Sequence, residues 1–211
     1  KDPQKIAVLS NSVLSMLYAV DGKAISRVST TDPLPPEIEA LPVLGQTANI
    51  NMEQLLGLNP DLVLGLENQH KKYESQLQSS KIPNVLINYD GIKDNVPLIK
   101  FLGALTNHED KATTLANTYE SNVNKVKDSV KAQQPARVAV LRATGKGVTA
   151  ETDAAITASM VKDLGMTNVV STHLDKTTTD KTVPYSLETL AADDPDIIFV
   201  VTMGKEEEIT K

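Results

Sequence analysis

NMEQLLGLNPDLVLGL, residues 51–66, and SLETLAADDPDIIFVV, residues 186–201, are two versions of one pattern. Aligned without a gap, they share a polar opener (Asn51, Ser186) and a glutamate two residues later (Glu53, Glu188). They also share a Pro-Asp pair (Pro60-Asp61, Pro195-Asp196) and the apolar run that follows it. A second echo precedes each copy: KIAVL at residues 5–9 and RVAVL at residues 137–141. An internal repeat of this length implies that one α/β unit occurs twice. Two similar lobes leave a crevice between them, and such crevices are favoured places for a ligand.

The rest of the chain is compatible with that arrangement. Its 211 residues suffice for one or two domains, each with a core of its own. A formal net charge of −6 argues against nucleic acid as a partner, because phosphate binding needs clustered Lys and Arg. No apolar run approaches the roughly 18–20 residues of a membrane span. The absence of cysteine excludes disulfides, thiolate metal sites and a cysteine nucleophile. The sequence opens without a charged-then-apolar leader, so the expectation is that a signal peptide was removed or never existed.

Strand and helix signals alternate. The apolar run 6–9 reads as a strand, Ser10-Asn11-Ser12 as the cap of a helix over 13–20, and 24–28 as a second strand. Residues 30–42 are rich in proline and acid and read as a surface loop. In the first repeat copy Asn51 is a good N-cap, and Gln54 is placed to complete a capping box. Pro60 stops that helix and a strand follows over 61–65; a helix over 73–80 and a strand over 84–88 come next. Such alternation predicts a parallel sheet covered on both faces.

Residues 96–133 carry no strand signal. Asn107 is placed to cap a long helix whose apolar residues (Ala112, Leu115, Ala116, Tyr119, Val123, Val126, Val130) recur at helical spacing. Pro135 is expected to end it. The second half then reads as a strand at 138–141, a helix over 157–164 closed by Gly165, a short strand at 169–170, a polar loop at 175–182 and the second repeat copy. The domain reading is an N-terminal α/β lobe at 1–95, a linker-helix region at 96–134 and a C-terminal α/β lobe at 135–211. Alternation continues further past the repeat in the first half than in the second, so the second lobe is expected to be incomplete at its C-terminal end.

This arrangement resembles the substrate-binding proteins of ABC importers for iron complexes, haem and cobalamin, whose two Rossmann-like lobes are joined by a single long α-helix. The likeness rests on KIAVLSNSVLSML at 5–17, LPVLG at 41–45, INMEQLLGLNPDLVLG at 50–65, the helix at 107–130, LGMTNV at 164–169 and PYSLETLAADDPDIIFV at 184–200. The resemblance implies export to a periplasm or cell surface, with tethering as a lipoprotein. It also implies a monomer that carries a small-molecule metal chelate to a membrane permease. In the resembled family one glutamate per lobe pairs with permease arginines, and Glu53 and Glu188 stand at the matching positions. Without that resemblance, a carboxylate in a helix first turn is explained by the helix dipole alone, at ~0.3–1 kcal/mol.

Ligands of open α/β sheets bind outside the carboxyl ends of strands. That rule makes Ser10, Asn11, Gln46, Asn68, His70, Tyr89, Arg142 and His173 the cleft candidates. His70 and His173 are metal or haem ligands on the functional reading and solvated surface groups on the ordinary one; His108, in a helix first turn, is neither. Arg142 suits the carboxylate or catecholate of an anionic chelate, or is an ordinary surface arginine. Tyr89 suits stacking or iron coordination, or a lid over its own lobe. The Pro-Asp pairs are structural, the aspartates accepting bonds from nearby backbone N–H groups. Gly145-Lys146-Gly147 lacks the full phosphate-loop pattern and reads as a turn.

No nucleophile–base constellation is visible, so the chain is not read as an enzyme. The reading is a solute-binding protein with no intrinsic cofactor, whose transported ligand is a ferric siderophore or haem. Cobalamin ranks lower because tryptophan is absent and only 3% of residues are aromatic. The alternative is a bilobal sensory domain that signals to a partner protein without transport.

Overall fold

The computed structural model describes residues 2–131, 136–175 and 178–203. They divide into two units, each containing one copy of the repeat. The first comprises the chain up to Tyr89 together with Asp94–Tyr119; the second comprises Asp90–Lys93 and the chain from Glu120 onward.

The first unit runs β1 (Ile6–Val8), α1 (Asn11–Ala19), α2 (Pro36–Glu39), β2 (Gly45–Gln46), β3 (Asn49–Ile50), α3 (Met52–Gly57), β4 (Leu62–Leu66), α4 (Glu67–His70), α5 (Glu74–Ser79), β5 (Asn84–Ile87) and α6 (Asn95–Leu105). Its main sheet is parallel, in the order β1-β4-β5. β4 reads LVLGL because both of its faces are covered. Leu62 and Leu64 join a cluster with Val13, Leu14 and Leu17 of α1 and Leu98 and Leu102 of α6. Val63 joins one with Leu55 of α3 and Leu77 of α5. The strand expected at 24–28 contributes only isolated parallel bridges, Ser26 to Ala7 and Arg27 to Val43. Asn51 caps α3 as its sequence predicts, its Oδ1 accepting from Gln54 N at 3.0 Å. The reciprocal half of a capping box does not form, because the Asn51 N–H donates to Leu44 O at 2.8 Å.

The strandless stretch is two helices, α6 and then α7 (Glu109–Lys131). Asn107 is not the cap of α7: it adopts φ +57° in the turn between the helices, and the His108 carbonyl accepts the Ala112 N–H at 2.9 Å. Gly103 is required there, since a Cβ would lie 2.2 Å from that of Ala112. α7, of 23 residues, is about 35 Å long. It leaves the first unit after Tyr119 and continues into the second. Pro135, expected to end it, lies outside the described residues.

The second unit runs β6 (Arg137–Thr144), β7 (Gly147–Glu151), α8 (Ile156–Asp163), β8 (Thr167–Asn168), β9 (Thr182–Val183), α9 (Leu187–Asp193) and β10 (Ile197–Met203). The expectation of parallel pairing throughout fails here. β10 and β8 run parallel to β6, but β6–β7 and β7–β9 are antiparallel, in the order β10-β6-β7-β9. The strand predicted to end at Leu141 runs on to Thr144, and the chain doubles back through Gly145-Lys146 with Gly147 at φ +129°. The predicted strand at 169–170 is instead a 3-10 turn, Val169–His173.

The two Pro-Asp pairs do the same work in both units. Asp61 accepts the N–H groups of Gln4 and Lys5 at 2.8 and 2.9 Å and returns its own N–H to Lys5 O at 3.1 Å. Asp196 accepts the Arg137 N–H at 2.7 Å and donates to Arg137 O at 2.8 Å. Each aspartate thus fixes the register of a repeat strand against its echo strand, β4 on β1 and β10 on β6. The residue before each proline is left-handed, Asn59 at φ 50° and Asp194 at φ 43°. These residue types tolerate that conformation better than most.

Candidate functional site

Glu53 and Glu188 occupy equivalent places. Each lies in the first turn of a short helix, α3 or α9, and each is exposed. Asn51 Oδ1 caps one helix and Ser186 Oγ the other, accepting Thr189 N at 3.0 Å. The caps hold both first turns, so each carboxylate projects from a fixed base.

At the strand ends of the first unit, Ser10 is buried, with its Oγ 2.8 Å from that of Ser12, and does not cap α1 through its side chain. Asn11 Nδ2 donates to Ser29 O at 3.2 Å, while its Oδ1 is buried without a hydrogen-bond partner among the described residues. Gln46 and Asn68 are exposed. The Tyr89 hydroxyl donates to Asn95 Oδ1 at 2.6 Å, and burial is the main cause that raises its pKa above the ordinary tyrosine value.

His70 is neither a solvated loop residue nor an open ligand. It is fully buried at the end of α4, with Nδ1 accepting the Leu66 N–H and Nε2 facing Thr47 O, both at 2.8 Å. This fixes the Nε2–H tautomer, and burial pushes the imidazole pKa below its usual value despite the two backbone bonds. Gly65 makes room for the ring, since a Cβ there would lie 3.0 Å from His70 Nδ1.

In the second unit Arg142 lies within β6 rather than in a loop. Its Nε and Nη2 both donate to Oε1 of the fully buried Glu151, at 2.9 and 2.6 Å. Glu151 Oε2 has no hydrogen-bond partner among the described residues. His173 Nε2 stands 2.6 Å from Asp193 Oδ1, and the Tyr185 hydroxyl donates to Asp193 Oδ2. The tyrosine hydroxyl first, and then His173, hold the Asp193 carboxyl below its usual range. Burial first, and then Asp193, push the Tyr185 phenol up.

Sequence reasoning missed a polar cluster beside a cavity of about 550 Å³ in this unit. Asp153 Oδ1 accepts from Ser171 Oγ at 2.8 Å and from Asn168 Nδ2 at 3.2 Å, and its Oδ2 lies 3.3 Å from Lys162 Nζ. Thr152-Asp153 directly follow β7, a strand the sequence reading lacks; with that strand known, the strand-end rule marks them out. Among the described residues, no three His, Asp or Glu side chains are grouped to hold a metal ion, and no helix is long and apolar enough to cross a membrane.

The sequence pattern of the family described as Periplasmic binding protein matches residues 6–211, and the chain belongs to that family. It is 26% identical over 142 residues to the vitamin B12-binding protein of Pectobacterium atrosepticum, covering 66% of this chain and 51% of that protein. It is 27% identical over 136 residues to the uncharacterised ABC transporter substrate-binding lipoprotein YvrC of Bacillus subtilis, covering 62% and 43%. The chain thus spans about half the length of the curated relatives it matches. In fold it is similar to an ABC transporter substrate-binding protein from Listeria monocytogenes (TM-score 0.83, 22% identity, 100% of this chain and 79% of that one). It is also similar to Staphylococcus aureus IsdE complexed with heme (TM-score 0.81, 21% identity, 98% and 78%). The fold is therefore that of the two-lobed, long-helix binding proteins of ABC importers.

Proposed function

We propose that this chain belongs to an extracytoplasmic solute-binding protein, a monomer held at the outer face of a membrane. It takes up a metal chelate and hands it to an ABC permease without covalent chemistry. The observation that carries this reading is the recurrence of an exposed glutamate in the capped first turn of equivalent helices, Glu53 and Glu188. The helix dipole accounts for one such residue at ~0.3–1 kcal/mol. The same dipole acts in both repeats, but recurrence at the equivalent place in both favours the docking role. Charges held on rigid elements give orientation and association rate more than raw affinity, which suits delivery.

The chelate is an iron complex, a ferric siderophore or haem, on the first reading. Asn11, with an unfilled buried acceptor at a strand end, is the candidate group best prepared to receive a ligand donor. Ser10, Gln46, Asn68 and His173 stand as further candidates. His70, Tyr89 and Arg142 have their polar atoms engaged within the protein and are assigned supporting roles. A corrinoid is the second reading, favoured by the name of the Pectobacterium relative and disfavoured by a chain with two Phe and no Trp.

Calorimetric titration of the full-length protein with a ferric catecholate siderophore, haemin and cyanocobalamin tests both. A Kd of about 1 μM or tighter for one of the three is expected. Tight cyanocobalamin binding alone would replace the first reading with the second. Absence of binding to all three would contradict the proposal.

A further inference from the structure

The β2–β3 hairpin of the first unit pairs Gly45 with Ile50 and Gln46 with Asn49, leaving Thr47 and Ala48 as its loop. It is poorly equipped to hold itself. Its strands have two residues each, and two-residue loops favour turns with positive φ, built on Asn-Gly or Gly-X. Neither Thr47 nor Ala48 has a positive φ. The left-handed residue is Gly45 at φ +95°, where a Cβ would lie 2.7 Å from Asn49 O.

The missing support comes from the segment that follows β4. His70 Nε2 donates to Thr47 O at 2.8 Å, and Lys72 Nζ donates to Ala48 O at 2.7 Å. The Ile50 N–H donates to the Tyr73 hydroxyl at 3.0 Å. Asn51 N donates to Leu44 O across the ladder, so the N–H of Ile50, one residue earlier, turns outward towards that hydroxyl. The three side chains also brace one another. The rings of His70 and Tyr73 stack with centroids 6.4 Å apart, and Lys72 Nζ lies 5.0 Å from the Tyr73 ring centre.

We propose that His70, Lys72 and Tyr73 are positioning residues, which hold this hairpin rigid and through it the first turn of α3 that presents Glu53. Ile50 ends β3, Asn51 caps α3, and Glu53 follows two residues later. Gln46, Ala48 and Asn49 are exposed, as are Glu53 and Gln54, so this braced segment lies open to a partner. A group fixed before contact loses less freedom on binding, which is what the brace supplies to the carboxylate. The link to docking rests on the transport reading; the bracing does not.

The chain has no cysteine, so nitroxide labels are readily placed at Asn49→Cys in the hairpin and Gln54→Cys in α3. Gln78→Cys in α5 serves as control, and all three positions are exposed. Each is read in the full-length protein, alone and with Tyr73→Phe plus Lys72→Met, which keeps the aromatic ring. The mobile fraction at 49 and 54 is expected to rise about twofold, with no change at 78. Lys72→Arg in place of Lys72→Met retains a donor and should restore most of the order. Without labels, the double variant should need about fivefold more protein for half-maximal stimulation of its permease–ATPase complex. Maximal stimulation and chelate affinity should be unchanged. A merely structural brace would lower the unfolding midpoint and leave label mobility and half-saturation as they were. Immobile labels in the folded double variant would overturn the proposal. Mobile labels with unchanged half-saturation would overturn the link to Glu53. Full stimulation by a Glu53→Arg protein would instead overturn the docking reading, and that link with it.

Discussion

Val63 and Leu64 in β4 are fully buried, whereas their counterparts in the second copy, Ile198 and Phe199 of β10, are 47% and 42% exposed. The local structure is otherwise repeated closely: a side-chain cap, a short helix, a left-handed residue, proline, an aspartate that fixes register, then a strand. What differs is the company each copy keeps. β4 has parallel neighbours on both edges, β1 and β5, and Leu77 of α5 fills the space against Leu55 and Val63. Among the described residues β10 pairs with β6 alone, and a cavity of about 300 Å³ lies open between Leu187, Leu190 and Ile198. The same pattern therefore fixes local conformation in both places, while burial is decided by what packs on it.

The sharpest way to test that contrast is one truncation in each copy. Leu64→Ala should cost about 2–5 kcal/mol, since it leaves a cavity in a closed core. Phe199→Ala, made in the 211-residue chain, should cost less than half as much, because the ring is half-exposed among the described residues. Hydrogen exchange of the β4 and β10 amides during urea titration resolves the two; equal losses would mean that neighbours do not set the difference.

His70 adds a second, pH-dependent asymmetry. Its folded pKa is held down by burial, so the fold favours the neutral ring. The stabilisation is complete above the unfolded value of about 6.5 and is lost as pH falls below it. The second copy has Lys205, not histidine, at the same offset. The first unit should therefore lose exchange protection as pH falls below about 6.5, and His70→Gln should flatten that dependence. An equally steep loss in the His70→Gln protein would assign the acid sensitivity elsewhere.

The smallest effect should be the most symmetrical. Asn51→Ala and Ser186→Ala remove equivalent caps and should each cost about 1 kcal/mol. A clear inequality, measured by the same exchange experiment, would show that the copies differ in local energetics as well as in cover.

Much of this fold could be read from the chain because its signals are local. The echo strands, the caps at Asn51 and Ser186, and the Pro-Asp pairs each act within a few residues or through a strand pairing that the repeat announces. The β6–β7 hairpin was overlooked because RATGKGVTAE is polar and glycine-rich, although glycine between two short runs is itself a hairpin signal. The site was less legible for the same reason. Arg142 meets Glu151 only once the hairpin exists, and Asp153 meets Ser171 only once α8 and β8 have folded between them. Nothing in ENQH marks His70 as buried; the room for it comes from Gly65, five residues earlier in β4.

The central claim is that the two copies present matched carboxylates to one membrane partner. It is tested most directly with the full-length protein carrying Glu53→Arg and Glu188→Arg, added to its permease–ATPase complex in nanodiscs. The measurement is stimulated ATP hydrolysis, beside calorimetric affinity for the metal chelate. Stimulation is expected to be lost while affinity is unchanged. Full stimulation by the doubly reversed protein, or loss of chelate binding in its place, would contradict it.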